Sequence, residues 1–206
     1  MKYPNGITKL SSNSISYGNR GMNFEAEINI TNEYYLIENT AIIYKKPTPI
    51  TINKVDFPSR KDAVITEAHF KIPSTTDYNG IYKGKYIDFE AKETKLKYFP
   101  IANIHQHQIT HLKKIYEHGG IGFILVNFVL YDKIFLLPIE QFLFFIENET
   151  RKSIPVDYFE KRGYLIKPKY QPRIDYLAIV DKLYFKGEYC FYLLPLQRQL
   201  HRRPDR

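Results

Sequence analysis

Apolar residues recur at helical spacing between Gly21 and Ile37, where Phe24, Ile28 and Tyr35 fall on one helix face and Asn39 is a stop signal. Ala41–Lys45 reads as a short strand. The next stretch, KKPTPITINKVDFPSRKDAVITEAHFKIPST, carries four prolines and alternating apolar residues. Proline is confined to edge strands and bends, so this segment is expected to form two exposed strands protruding from the body. Turn-rich STTDYNG precedes a strand over Lys85–Lys92, and a helix is expected over Asn103–His118, ended by Gly119-Gly120. Ile121–Phe128 reads as a buried strand with Lys133–Leu137 as its hairpin partner, and Ile139–Ile146 as a short amphipathic helix behind Pro138. A further helix is expected near Arg173–Lys182, among turns and ahead of a basic tail. This mixed order predicts an α/β fold with a central mixed sheet, in a single domain over residues 1–206 with a mobile arm over residues 1–15.

Composition narrows the function. Lys and Arg number 30 against 22 Asp and Glu, a formal charge of +8, which points to a polyanionic partner. The excess is local. Lys45–Lys71 holds six bases and three acids, Thr150–Arg173 seven bases and two acids, and Gln197–Arg206 four arginines and one aspartate, whereas Glu117–Glu149 is acidic. One cysteine, Cys190, rules out an intramolecular disulfide and a multi-cysteine zinc site. The longest apolar run, Ile121–Leu130, is interrupted by Asn127 and falls short of the roughly 20 residues of a membrane span. Met1–Ser16 lacks the apolar centre of a signal peptide, so a soluble cytoplasmic protein without membrane attachment is expected.

The chemistry concentrates in YIDFEAK, Tyr86–Lys92. Strand alternation puts Ile87, Phe89 and Ala91 on one face and Asp88, Glu90 and Lys92 on the other. A surface ladder of paired charges would have the same pattern. Asp77, thirteen residues before Glu90, changes the balance, because Asn79-Gly80 and Lys83-Gly84 supply turn chemistry for a hairpin that brings the two acids together. Two carboxylates beside a lysine suit a hard divalent cation such as Mg²⁺ and phosphodiester hydrolysis. Glu93-Thr94-Lys95 repeats the acid-x-lysine spacing, but only Glu90 has both a clean alternation and an upstream acid behind a turn. Gln108 falls on the inward face of its helix, where either backbone or a metal-bound water could satisfy it. Glu25 could approach the same site or be a solvated helix charge. His105, His107 and His111 invite a zinc reading through the i,i+4 pair, but no third ligand at zinc spacing follows. The phosphate-loop, dinucleotide and serine-hydrolase motifs are absent.

Long strings in the chain closely resemble the RecU family of bacterial Holliday junction resolvases. These are YGNRGMNFEAEINITNEYYL (Tyr17–Leu36), KKPTPI (Lys45–Ile50), PSTTDYNGIYKGKYIDFEAKET (Pro73–Thr94), FPIANIHQHQITHL (Phe99–Leu112), HGGIGF (His118–Phe123) and GYLIKPKYQPRIDYLAIVDKLY near the C-terminus. The resemblance implies a restriction-endonuclease-like core with a projecting two-stranded stalk over Lys46–Phe70. It also implies a homodimeric, Mg²⁺-dependent endonuclease, with Mn²⁺ as a substitute, that cuts opposed strands of a four-way junction during homologous recombination and DNA repair. Carried over by position, the metal site is Thr75, Asp77, Glu90 and Gln108, with Lys92 stabilising the transition state. The helix face selects Gln108 over Gln106. Glu25 and Asp88 are supporting candidates, and Arg20, Lys46, Arg60 and Phe70 are candidate DNA or partner contacts. The family further implies interaction with the RecA recombinase and a nucleoid-associated location. Two alternatives compete with this reading. One is a non-catalytic junction-binding protein that regulates RecA, against which the intact Asp77, Glu90 and Lys92 argue; the other is a nuclease of simple duplexes, which the proline-rich stalk disfavours.

Overall fold

The computed structural model describes residues 23–71 and 75–185, so the expected N-terminal arm, Arg20, Cys190 and the basic tail lie outside the described residues. In chain order the elements are α1 (Phe24–Ile37), β1 (Ile42–Lys45), β2 (Ile50–Asp56), β3 (Val64–Phe70), β4 (Tyr78–Tyr82), β5 (Lys85–Thr94), β6 (Tyr98–Pro100), α2 (Gln106–Glu117), β7 (Ile121–Phe128), β8 (Lys133–Pro138), α3 (Ile139–Asn148), β9 (Ser153–Pro155), α4 (Val156–Arg162), β10 (Tyr164–Ile166) and α5 (Leu177–Tyr184). Six strands form one sheet in the order β1-β4-β5-β7-β8-β10. Its β5–β7 pair is parallel and the other pairs are antiparallel, which is the mixed sheet expected.

Two apolar layers cover this sheet. On one face α1 and α5 pack Phe24, Ile28, Leu177 and Val180 over Tyr78, Ile87, Phe89 and Phe123. On the other, α2, α3 and α4 pack Leu112, Phe142 and Phe159 over Ile124, Val126 and Leu137. Central β7 is buried almost throughout, as a parallel-paired strand covered on both faces must be, and that is why it reads as a continuous apolar run. Phe89 stacks between Tyr78 and Phe123, with ring centroids 4.8 and 4.7 Å away, and this fixes the apolar face of β5.

Local signals account for most element ends. Asn23 caps α1 through its side chain, which accepts from the Glu25 N–H, so the helix starts at Phe24 rather than Gly21. Asn39 and Gly119 take positive φ after α1 and α2, as their stop roles required. The hairpin turn is Lys83-Gly84, both at positive φ, whereas Asn79-Gly80 lies inside β4 and makes no turn. Gly80 is needed there for clearance, since a Cβ would fall 2.0 Å from the Ile42 carbonyl oxygen. Helix α2 begins at Gln106, three residues later than expected, behind a single 3₁₀ turn over Ile101–Asn103.

The proline-rich stretch forms β2 and β3, a two-stranded antiparallel sheet that shares no strand with the central one. Every residue in it except Thr51 is exposed, and its register shifts around Asn53, a bulge of the sort that twists isolated ribbons. The stretch read as turns before α5 instead holds β9, α4 and β10. Elements of three, seven and three residues are too short to show a period.

Candidate active site

The β4–β5 hairpin brings the acidic residues together. Tyr78 pairs with Phe89, so Asp77, one step outward, lies beside Glu90. The Ala91 N–H donates to Asp77 Oδ2 at 3.1 Å and anchors the carboxylate to the neighbouring strand. Lys92 Nζ lies 2.5 Å from Glu90 Oε1 and 3.7 Å from Asp77 Oδ2, so one ammonium spans both acids. From α2, Gln108 Nε2 donates to Glu90 Oε1 at 2.8 Å.

Glu90 is fully buried, and its second oxygen, Oε2, has no hydrogen-bond partner. A buried carboxylate oxygen left unpaired costs free energy, so its retention calls for an explanation. Burial, and then the charge of Asp77, push the Glu90 carboxyl up to about 7 against the opposing pull of Lys92. Burial disfavours the Lys92 ammonium, but its contacts with Glu90 and Asp77 outweigh that and hold its pKa above the usual lysine value. A divalent cation would reverse the cost at Glu90 by giving both acids a partner. Two carboxylates, one of them with a free oxygen, are the donor chemistry that suits a hard ion. Asp77 is about one-third exposed, so the site opens to solvent on that side.

Gln108 is buried as its helix face required, whereas Gln106 is exposed. Both ends of its amide are engaged, because Oε1 accepts from the His105 N–H at 2.9 Å while Nε2 holds Glu90. In this arrangement Gln108 orients Glu90. Thr75 accepts from Lys46 Nζ at 3.0 Å. Glu25 shares a shallow cleft with Asp77, Ala91 and Glu93, but its carboxylate pairs with Lys45.

A second polar cluster adjoins the first on the same face of β5. Asp88 is fully buried; Thr76 donates to its Oδ1, while Lys46 Nζ at 2.8 Å, Tyr86 Oη at 3.0 Å and His111 Nε2 at 3.1 Å converge on Oδ2. Lys46, expected to face DNA, is thus turned inward and its side chain is only 14% exposed. Thr76, Tyr86 and the inward role of Lys46 were missed by sequence reasoning. Tyr86 could have been found, since alternation places it with Asp88, Glu90 and Lys92. His111 separates from His105 and His107, whose exposed rings stack 5.5 Å apart. Arg60 lies in the exposed bend between β2 and β3, and Phe70, 78% exposed, ends β3 at the base of the ribbon.

Comparison with known proteins places the chain in a family. The family model described as "RecU: Recombination protein U" matches residues 19–182. A Holliday junction resolvase RecU of Oceanobacillus iheyensis is 53% identical over 196 residues, covering 90% of this chain and 100% of its own. One of the same name from Bacillus cytotoxicus is 50% identical over 197 residues, covering 90% and 98%. Among solved structures, the Archaeoglobus fulgidus Holliday junction resolvase Hjc is a distant likeness, matching over 69% of this chain and 93% of its own at TM-score 0.41 and 12% identity.

Proposed function

The chain belongs to the RecU family, and from that premise we propose that it is a Holliday junction endonuclease that hydrolyses phosphodiester bonds with a divalent cation, in homologous recombination and DNA repair. The observation that carries the reading is the buried Glu90, with one oxygen unpaired, beside Asp77 and under Lys92. Asp77 and Glu90 would hold the cation, with Thr75 as a further oxygen donor. When bound, the ion neutralises charge on the phosphoryl group and makes a water molecule more acidic. Mg²⁺ is the ion we assign, with Mn²⁺ as a substitute, because both accept oxygen ligands with open positions.

The protein's own groups do the rest. Lys92 stays protonated and is placed to stabilise the extra negative charge on the phosphoryl oxygens in the transition state. Gln108 holds Glu90 Oε1, which leaves Oε2 as the oxygen that would take the ion. The Ala91 N–H likewise holds Asp77 Oδ2. Arg60 at the ribbon tip and Phe70 at its base are exposed and suited to contact phosphates and unstacked bases, with Arg20 as a further candidate.

A four-way junction has two-fold symmetry, so we assign a homodimer whose two sites meet strands of like polarity. The chain then acts as one nuclease domain carrying a stalk over residues 46–70, at the nucleoid in the cytoplasm, with the RecA recombinase as protein partner. No helix among the described residues is long and apolar enough to cross a membrane.

Cleavage of a synthetic four-way junction in Mg²⁺ tests this reading. Wild type should leave paired symmetric nicks, while Asp77→Asn should bind the junction without cutting it. Equal cleavage by both proteins would remove the site assignment, and binding without cleavage by wild type would favour a non-catalytic junction protein. Deleting Pro47–Ile65 should abolish junction processing while the melting transition of the core persists, and unchanged junction activity would remove the stalk from the mechanism.

A further inference from the structure

We infer that Lys46 and Asp88 form a positioning pair that locks the metal-binding segment Thr75–Asp77 to strand β5, tying the root of the β2–β3 ribbon to the geometry of the cation site. The inference rests on the proposed metal site but concerns residues outside its ligand set. Lys46 is the first residue after β1 and so begins the chain's path into the ribbon. Its backbone N–H donates to the Asp77 carbonyl at 2.8 Å, and its Nζ lies 3.0 Å from Thr75 Oγ1, 2.5 Å from Thr76 Oγ1 and 2.8 Å from Asp88 Oδ2. One side chain thus touches two consecutive residues of the returning leg and a buried carboxylate of the strand that carries Glu90.

Asp88 is the fixed point of this arrangement. Its other partners come from three directions: Thr76 from the returning leg, Tyr86 from its own strand and His111 from α2, the helix that also supplies Gln108. Both of its oxygens are occupied, so it is not available to a metal as Glu90 Oε2 is. Residues 75 and 76 lie outside any strand, and the Lys46 ammonium, together with the Thr76–Asp88 hydrogen bond, ties them to β5. Partners behind the ligands of a metal site typically govern affinity by about tenfold to a hundredfold, and the same scale is expected here.

Calorimetric titration of the full chain with Mn²⁺ alone, without DNA, tests the pair. Lys46→Met should weaken Mn²⁺ binding by about tenfold or more. Because that variant strands a buried carboxylate and could fail to fold, the double variant Lys46→Met/Asp88→Asn decides the matter. It removes both charges, should melt near wild type, and should still bind Mn²⁺ about tenfold more weakly. Wild-type Mn²⁺ affinity in the double variant would overturn the inference, as would loss of junction binding in EDTA with Mn²⁺ affinity intact, which would make Lys46 a DNA contact. Asp77→Asn separates the proposed metal site from the positioning pair. If it keeps full Mn²⁺ binding, the metal site itself is misassigned; if it loses binding while both Lys46 variants keep it, only the positioning pair falls.

Discussion

Asp88 and Glu90 are two residues apart on one strand, face the same way and are both fully buried, yet their surroundings are opposite in kind. Asp88 has four side-chain partners, from β5, α2, the ribbon root and the returning leg. Glu90 has two, both on the same oxygen, and its other oxygen has none. Helix α2 serves each acid with one polar side chain, His111 for Asp88 and Gln108 for Glu90, three residues apart on one helix face. A buried carboxylate whose bonds are complete acts as structure, whereas one left incomplete beside a second acid and a lysine is poised for a ligand. Burial alone does not distinguish them; the count of satisfied oxygens does.

Cleavage should break the comparison most widely. Glu90→Gln removes a proposed cation ligand and should lower the rate of junction cutting by about a thousandfold or more. Asp88→Asn leaves the two acids and Lys92 in place and should cost about tenfold to a hundredfold, through positioning. Comparable rates for the two variants in a single-turnover junction assay would erase the distinction. Stability should move the other way. Without metal, Asp88→Asn breaks a buried ion pair and should lower unfolding free energy by about 3 kcal/mol, read by urea titration. Glu90→Gln relieves an unfavourable buried charge and should leave stability unchanged or raise it by about 1 kcal/mol. A large loss of stability in Glu90→Gln would mean that Glu90, too, is structural.

Acidity sharpens the same contrast. The Glu90 carboxyl is raised to about 7 in the folded protein from an ordinary value near 4.5, through burial and then Asp77. A raised carboxyl pKa means that the folded state favours the protonated form. Its contribution to metal-free stability is therefore fully present below about pH 4.5 and is lost as pH rises through about 7. Mn²⁺ binding has the opposite slope, because the ion needs the carboxylate. Affinity should fall by up to about tenfold per unit as pH drops below 7, with proton release detectable in buffers of different ionisation enthalpy. An affinity flat from pH 8 to pH 5.5 would exclude Glu90 as a ligand.

The two clusters also differed in how far the sequence exposed them. Alternation in Tyr86–Lys92 was enough to separate Phe89 from Asp88, Glu90 and Lys92, and the hairpin that joins Asp77 to Glu90 followed from length and turn residues. The turn itself was shared between two dipeptides, and Asn79-Gly80 lost because Gly80 serves the close approach of β1, a tertiary demand that no local pattern records. Gln108 could be placed inward but not given a partner, since that depends on how α2 crosses β5. The inward turn of Lys46 was not legible. A lysine in a basic, proline-rich segment looks like a DNA contact until a buried aspartate from a strand 42 positions later is seen to meet it. Local periodicity reveals faces; only packing reveals which charges are spent.

Gln108 offers the smallest and most discriminating effect. Its amide bridges the His105 N–H and Glu90 Oε1, so it belongs both to the start of α2 and to the proposed metal site. Gln108→Leu keeps the bulk on a buried helix face but removes both bonds, whereas Gln108→Glu keeps the acceptor for His105 and sets a second carboxylate against Glu90. If Gln108 acts by orienting Glu90, the leucine variant should weaken Mn²⁺ binding by about tenfold, with saturating Mn²⁺ restoring most of the cleavage rate. The glutamate variant should raise the Glu90 pKa further and move the pH profile of Mn²⁺ binding upward, because like charges in one buried site cannot both ionise easily. If instead its carbonyl oxygen is a ligand, the added carboxylate should tighten Mn²⁺ binding at high pH. The sign of the change in Mn²⁺ affinity in Gln108→Glu therefore tells whether Gln108 serves the ion directly or through Glu90.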